Sequence, residues 1–381
     1  MRLAIDARKL AEPTVGIGQY LYALIKHLPL LASDLEIFLL TNSRLRSGCV
    51  PDRCREVILS IPGTRSSIFG KLMSPLWLNS VVPRFLKRAK VDLFHGANFV
   101  IPVRSICPSV STVHDLAFMK APEAYGVAYR NYIRLQVRSA VSEARHFICV
   151  SNAAKNDLVG VLGVSEKRVS VIHHGVADEY RPIEDNAQLE EVRGKLGVPA
   201  RFALHVGVVQ RRKNIETLIA AAAPLIRDGI LDGVVLAGQE GFGAERVREA
   251  AAVAGIRGRV FFLGHVPQVS MAALYGLAAV VVMPSWYEGF GMPVLEAMAC
   301  GTPVVASSTS SLPEVVGDAA LTVFPDDTAG LRQSICRLLA DSTLYATMRR
   351  RGLERARLFS WTEAASHHLQ VYRAALNVGS R

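Results

Sequence analysis

Residues 278–306, AAVVVMPSWYEGFGMPVLEAMACGTPVVA, decide the fold. Ala278 to Met283 is a short apolar, β-branched run that Pro284 ends, which reads as a buried strand of a parallel sheet. Ser285 to Gly291 is a polar loop carrying two glycines. Pro293 suits the first turn of a helix, where the missing N–H costs nothing. That helix runs through Glu296 to Cys300 and stops at Gly301, and Val304 to Ala306 opens the next strand. The unit is strand–loop–helix–strand, with its loop at the carboxyl end of a strand, where open α/β sheets bind ligands.

Two carboxylates punctuate it. Glu288 is on the loop and Glu296 about one turn into the helix, with seven residues between them. Gly289, Phe290 and Gly291 lie between them and bring bare backbone N–H groups to a helix N-terminus, a site for an anion such as a diphosphate. A carboxylate beside a phosphate is repulsive unless hydroxyls donate to it, and a sugar and a ribose supply hydroxyls. The local chemistry points to one diphosphate, one sugar and one ribose in a row. The bland alternative is a helix cap with Glu288 merely solvated.

The string E-G-F-G-x-P-x-L-E-A-M-A-C-G-x-P-V-V-A resembles the signature of the family 4 retaining glycosyltransferases. That resemblance implies an α/β protein of the GT-B type: two Rossmann-like doubly wound domains facing across a cleft, with a C-terminal helix crossing back to the first. It implies an acceptor-binding domain over 1–180, a nucleotide-sugar-binding domain over 181–360, and the crossing helix over 361–381. The likeness covers nearly the whole chain, strongest over 203–327 and weakest over 44–90.

Composition agrees with two soluble domains. The 381 residues exceed one typical core, half are apolar and a fifth charged. No apolar stretch is long and charge-free enough to span a bilayer. The N-terminal MRLAID reads as a strand that meets Asp6 at once rather than a signal peptide, so a cytoplasmic location is expected. The six cysteines form no CxxC pair and read as buried thiols, and no D-x-D pair suits a metal on a diphosphate. The net charge of +11 is uneven: residues 1–183 hold 24 Lys and Arg against 14 Asp and Glu, and residues 184–381 hold 20 against 19. An excess confined to one half points to a partner met there, an anionic membrane surface or a diphosphate-linked lipid. Nucleic acid is not expected, because the basic residues are not interleaved with aromatics.

Along the chain, Gly16 and Gly18 form a strand-to-helix turn without the third glycine of a dinucleotide fingerprint, which weighs against a dehydrogenase. In the resembling family this G-x-G loop faces the donor. Residues 44–75 are loop-rich. Residues 76–90 mix Trp77, Val82, Phe85 and Leu86 with Arg84, Lys87, Arg88 and Lys90, either a membrane-surface helix or an ordinary packed one. A helix over 122–145 carries Tyr125, Tyr129 and Tyr132 with Arg130, Arg134 and Arg138, a face for the acceptor. His114 follows a strand in an H-D-L context, and the resemblance implies that it contacts the donor sugar. Ser151 opens a helix with good capping chemistry.

In the second half, Phe202 to Val206, Gly207 and then Arg211-Arg212-Lys213-Asn214 are a strand, a glycine and a basic cluster before a helix, an anion site. The resemblance implies that Lys213 and one arginine, for which we nominate Arg212, contact the diphosphate. It further implies that the loop with Gly264 and Val266 holds the nucleobase through its backbone. Phe290, Gly291, Met292 and Leu295 complete the donor set, Glu288 meets sugar hydroxyls, and Glu296 meets the ribose. No cofactor or metal is expected beyond the nucleotide sugar itself.

The variant basic motif, with Val208 after the glycine, is similar to bacterial mannosyltransferases of surface-polysaccharide (O-antigen or exopolysaccharide) assembly. This implies a GDP-linked mannose or 6-deoxymannose donor and a saccharide acceptor, free or on a polyprenyl diphosphate. The rivals are another enzyme of the same fold, a nucleotide-sugar epimerase or phosphorylase, and a non-catalytic saccharide- or membrane-binding subunit.

Overall fold

Short apolar runs bounded by glycine, proline and aspartate become parallel strands throughout the chain. The computed structural model describes residues 1–11, 16–45, 48–60, 74–120, 122 and 126–377. Among these, one sheet holds β1 (Arg2–Asp6), β2 (Glu36–Thr41), β3 (Cys54–Ile58), β4 (Leu93–Gly96), β5 (Ser109–Val113), β6 (His146–Cys149) and β7 (Val169–Val171), in the order β3-β2-β1-β4-β5-β6-β7. A second holds β8 (Phe202–Val206), β9 (Gly233–Ala237), β10 (Val260–Gly264), β11 (Val280–Met283), β12 (Val304–Ser307) and β13 (Leu321–Val323), in the order β10-β9-β8-β11-β12-β13. The strands pair in parallel throughout both ladders. Strand order reverses between β1 and β4 and again between β8 and β11, the two places where such sheets open a crevice for ligands.

The chain divides into two compact units. One comprises Met1–Leu116, Val127–Gly175 and Ser360–Arg381, and the other Ala117–Gly126 and Val176–Phe359. The crossings therefore fall at Gly175–Val176 and Phe359–Ser360 rather than at 180 and 360, and residues 117–126 group with the second unit.

In the second unit, β11 pairs Val281 with Val304 on one side and with Leu204 of β8 on the other. Val280 and Val282 share an apolar cluster with Leu218, Ile219, Leu331 and Ile335. In the first unit, the Trp361–Asn377 helix buries Trp361, Ala364, Ala365, His368, Leu369, Tyr372 and Ala375, a three-and-four spacing that makes one face, and packs on the Ile17–Leu31 helix. Gly175 allows the start of this helix to close in: a Cβ there would lie 2.2 Å from the backbone nitrogen of Trp361.

Several expectations need correction. Of the loop-rich 44–75 stretch, residues 46–47 and 61–73 lie outside the described residues; the rest contains β3, an edge strand whose Arg55 and Glu56 hide the apolar alternation. Residues 74–88 are one continuous helical run, as the spacing predicts, but it widens into a π-helical turn at Trp77–Val81 just ahead of Pro83 before continuing as the α-helix Val82–Arg88. Only Gly16 belongs to the turn before the first long helix, as its N-cap; Gly18 is already helical and buried. Val15, Tyr125 and the side chains of Tyr129 and Tyr132 lie outside the described residues; the helix there spans Val127–Glu143.

Candidate active site

The loops after β8 and β11 leave the sheet on either side of the strand-order reversal. After Gly207 the chain forms a short 3-10 turn, Arg211–Lys213, and Asn214 takes a left-handed conformation (φ 54°) to cap the Ile215–Arg227 helix. Asparagine tolerates that region because its short amide bonds locally. Here Asn214 Nδ2 donates to Pro284 O (3.0 Å) and Pro325 O (2.6 Å), strapping the loops after β11 and β13 to the helix head. Trp286 N–H donates to Arg212 O (3.0 Å), so the two loops also share a backbone bond.

Glu288 is the centre of this arrangement. Lys213 Nζ lies 2.6 Å from its Oε1 and Arg212 Nη1 3.1 Å from its Oε2, while Ser285 Oγ donates to Oε1 at 2.6 Å. Arg212 Nη1 also donates to Tyr287 O (2.5 Å). Ser310 and Ser311 hold the backbone: Glu288 N–H donates to Ser310 Oγ, and Ser311 Oγ donates to the carbonyls of Glu288 and Phe290. Burial alone would push the carboxyl up. The two cations and the hydrogen bonds from Lys213 and Ser285 outweigh it and hold Glu288 down at about 2.

Gly291 heads the Met292–Ala299 helix at φ 108°, a conformation that favours glycine, and a Cβ there would sit 2.7 Å from Leu312 Cδ2. Pro293 falls in the first turn, as expected. Leu295 and Glu296 are buried in the next turn. Glu296 is treated differently from Glu288: Tyr275 Oη donates to its Oε2 at 2.7 Å, and burial raises its carboxyl to about 7 despite that bond. Two carboxylates one motif apart are thus driven to opposite ends of the acid range.

Arg212, Lys213 and Glu288 are therefore in mutual contact, with Gly207 beside them; a Cβ on Gly207 would lie 3.5 Å from Lys213 Nζ. Gly264 ends β10 and accepts the Gly238 N–H at 2.8 Å, and Val266 is buried just beyond. His114, in the first unit, has Nε2 2.9 Å from Ala97 O and is pushed down to about 4 by burial. Sequence reasoning missed Ser285, Tyr275 and His205. Ser285 stands three residues before Glu288 and was legible in principle. Tyr275 is on another helix and His205 is a buried residue within β8, so no local pattern announces either. His205 donates Nδ1–H to Val282 O (3.0 Å), its Nε2 is buried with no hydrogen-bond partner, and burial, with Lys213 nearby, pushes it down to about 4.

The clamped carboxylate, its two cations and the glycine-headed helix thus stand together at the strand-order reversal of a doubly wound sheet, the place where such sheets bind ligands. A family model described as Glycosyltransferase Family 4 matches residues 15–180, and one described as Glycosyl transferases group 1 matches residues 200–341. The chain belongs to the family 4 glycosyltransferases. It is 27% identical to O-antigen chain mannosyltransferase B of Escherichia coli over 98% of this chain and 100% of that one. It is 28% identical to the serotype-specific mannosyltransferase WbdA of Escherichia coli over 71% of this chain, and spans about a third (33%) of the length of that relative. Among solved structures, sucrose-phosphate synthase of Thermosynechococcus elongatus superposes with a TM-score of 0.77 at 26% identity, covering 99% of this chain and 100% of that one.

Proposed function

We propose that this glycosyltransferase moves a hexose, mannose or a 6-deoxymannose, from a GDP-sugar to a saccharide hydroxyl during assembly of a bacterial surface polysaccharide, with retention at the anomeric carbon. The observation that carries this reading is the Lys213–Glu288–Arg212 clamp at the head of the Met292–Ala299 helix. Two cations face one carboxylate there, and the helix end adds about half a positive charge. A diphosphate competes with Glu288 for Lys213 and Arg212. As it takes them over, the carboxylate is released to accept from sugar hydroxyls, so binding of the leaving group and alignment of the sugar are one event. The same cations then neutralise the charge that grows on the diphosphate as the C1–O bond breaks.

In this scheme the acceptor oxygen bonds C1 on the face that the diphosphate leaves. Its proton passes to the departing phosphate oxygen, so no protein nucleophile is required. His114 accepts from a donor-sugar hydroxyl and Glu296 from the ribose. Charge neutralisation by Lys213 and Arg212 supports a metal-independent reaction. The relatives named as mannosyltransferases support the choice of sugar. The acceptor is a growing saccharide, free or carried on a polyprenyl diphosphate.

The test is direct. Thermal unfolding with GDP, UDP and ADP ranks the bases, since a nucleotide at a hundred times its Kd stabilises by about 2.7 kcal/mol. Purified protein with GDP-mannose and a mannoside acceptor in excess chelator is then expected to form an α-linked product. Stabilisation by UDP alone, or complete metal-reversible loss of transfer, would overturn the donor and metal readings respectively. Donor turnover without acceptor would point to an epimerase or hydrolase instead.

A further inference from the structure

One buried network in the first unit has a donor and acceptor pattern that closes in a single way. It runs Tyr372 Oη to His95 Nδ1 (2.9 Å), His95 Nε2 to Thr112 Oγ1 (2.8 Å), Thr112 Oγ1 to Tyr20 Oη (2.9 Å), Tyr20 Oη to His368 Nε2 (3.0 Å) and His368 Nδ1 to Ala364 O (2.7 Å). All five side chains are buried. A backbone carbonyl only accepts, so His368 Nδ1 carries the proton. Burial pushes His368 down to about 4, so the ring is neutral and its Nε2 accepts from Tyr20. The one proton of Tyr20 is then committed, and Thr112 donates to Tyr20. That commits the proton of Thr112, so His95 donates from Nε2 and accepts at Nδ1 from Tyr372. Every bond is polarised in one sense, beginning and ending on the Trp361–Asn377 helix.

Tyr20 connects this run to His114. Its ring meets His114 at 4.9 Å and 78°, an edge-to-face contact. His174 packs against both, 4.9 Å from Tyr20 and 5.7 Å from His114, and is backed by Trp361 at 5.3 Å. His114 Nε2 faces the carbonyl of Ala97, so the proton is on Nε2 and Nδ1 is the accepting atom. Tyr20 cannot swing away from His114 without breaking two buried hydrogen bonds.

We propose that Tyr20 and His368 are positioning residues: the hydrogen-bonded run through Thr112 and Tyr20 to His368 fixes the Tyr20 ring, and that ring fixes the His114 imidazole with Nδ1 as its acceptor for a donor-sugar hydroxyl. This rests on the role given to His114 above, and it ties the C-terminal helix to the donor-sugar contact through named atoms.

The experiment compares Tyr20→Phe, His368→Leu, His368→Gln and His114→Ala for kcat and donor KM, each normalised to the folded fraction by circular dichroism. Tyr20→Phe keeps the ring and removes the hydroxyl; glutamine at 368 keeps an acceptor near the position of Nε2. Tyr20→Phe and His368→Leu are expected to lower kcat about ten- to a hundredfold with donor KM nearly unchanged, the cost of a misplaced contact. His368→Gln is expected to recover most of it. In ¹⁵N-histidine spectra, His114 of the wild type should show an unprotonated Nδ1, and Tyr20→Phe should broaden or shift the His114 ring resonances as the imidazole loses its fixed position. Wild-type kcat in folded Tyr20→Phe and His368→Leu, with His114→Ala inactive, would overturn the positioning role and leave the role of His114 standing. Wild-type transfer by His114→Ala would overturn both. Should His368→Leu fail to fold, Tyr20→Phe and His368→Gln decide the matter.

Discussion

Glu288 and Glu296 come from one continuous motif, and their surroundings separate them by their partners rather than by exposure. Both are buried; one faces two cations, the other a tyrosine hydroxyl. For Glu288, Glu288→Gln removes the counter-charge of Lys213 and Arg212 and leaves two poorly solvated cations, which costs stability on the order of 3–5 kcal/mol. The same change frees both cations for a diphosphate. We therefore expect Glu288→Gln to bind GDP more tightly than the wild type, by calorimetry, while transfer falls by at least about a hundredfold. Weaker GDP binding would mean that the carboxylate only props up the loop. For Glu296, the folded-state value of about 7 lies above the unfolded carboxylate value. The folded state thus holds an extra proton between pH 4.5 and 7, and stability falls as pH rises through that window. Glu296→Gln has nothing to ionise, so its stability relative to the wild type should climb by up to about 3 kcal/mol from pH 4.5 to pH 8 in urea titrations; a flat difference would contradict the raised value. The loops that carry Lys213, Arg212 and Glu288 were readable because each follows an apolar strand in an unbroken local motif; that the two cations clamp the carboxylate was not. The burial that sets the state of Glu296, and the tyrosine that bonds it, were not readable either, because a partner 21 residues away on another helix leaves no local trace.

The same division holds for elements. β11 and the helix after it were legible because an apolar β-branched run, a proline in the first helical turn and a terminal glycine agree with one another. β3 was not: it is an edge strand with Arg55 exposed and no face fully buried, so its alternation carries no apolar signal. Ser151 did what its position promised, its Oγ accepting the Ala154 N–H at 3.0 Å. The contact at Gly175 is a tertiary feature that a glycine in the sequence cannot reveal alone. A Cβ there would stand 2.2 Å from Trp361 N and 2.6 Å from Ser360 C, both backbone atoms with little room to move. Gly175→Ala is therefore expected to cost about 1–3 kcal/mol in urea unfolding and to raise hydrogen exchange along Trp361–Asn377. Gly160→Ala is the control. It lies within the Asn152–Leu162 helix, a Cβ there meets nothing within 4 Å, and the change should be neutral or stabilise by up to about 1 kcal/mol. Equal effects at the two sites would remove the packing argument.

At the scale of the molecule, both doubly wound sheets follow from parallel strands alternating with helices, and the sequence already shows that rhythm. It also shows the one-sided charge, with nearly all of the net +11 in residues 1–183, but not how that charge is displayed. The structure buries Val82, Phe85 and Leu86 and leaves Arg84, Lys87, Arg88 and Lys90 exposed. The apolar half of this basic, amphipathic segment is thus spent on its own core, and no helix among the described residues is long and apolar enough to cross a membrane. If the first unit meets an anionic bilayer through this segment, the attraction is Coulombic rather than insertional. Lipid surfaces that carry negative charge attract basic side chains by about 1 kcal/mol each, within a screening length of about 10 Å at 0.1 M salt and about 3 Å at 1 M. Sedimentation with vesicles containing phosphatidylglycerol should therefore be strong at low salt, weak at 1 M, and unmeasurable with neutral vesicles. The triple variant R84E/K87E/R88E should lose most of the low-salt binding while keeping the wild-type circular dichroism and its transfer to a soluble acceptor, since none of the three touches the Glu288 clamp. Binding that survives both high salt and the charge reversal would require an apolar anchor elsewhere and would remove this segment from the contact.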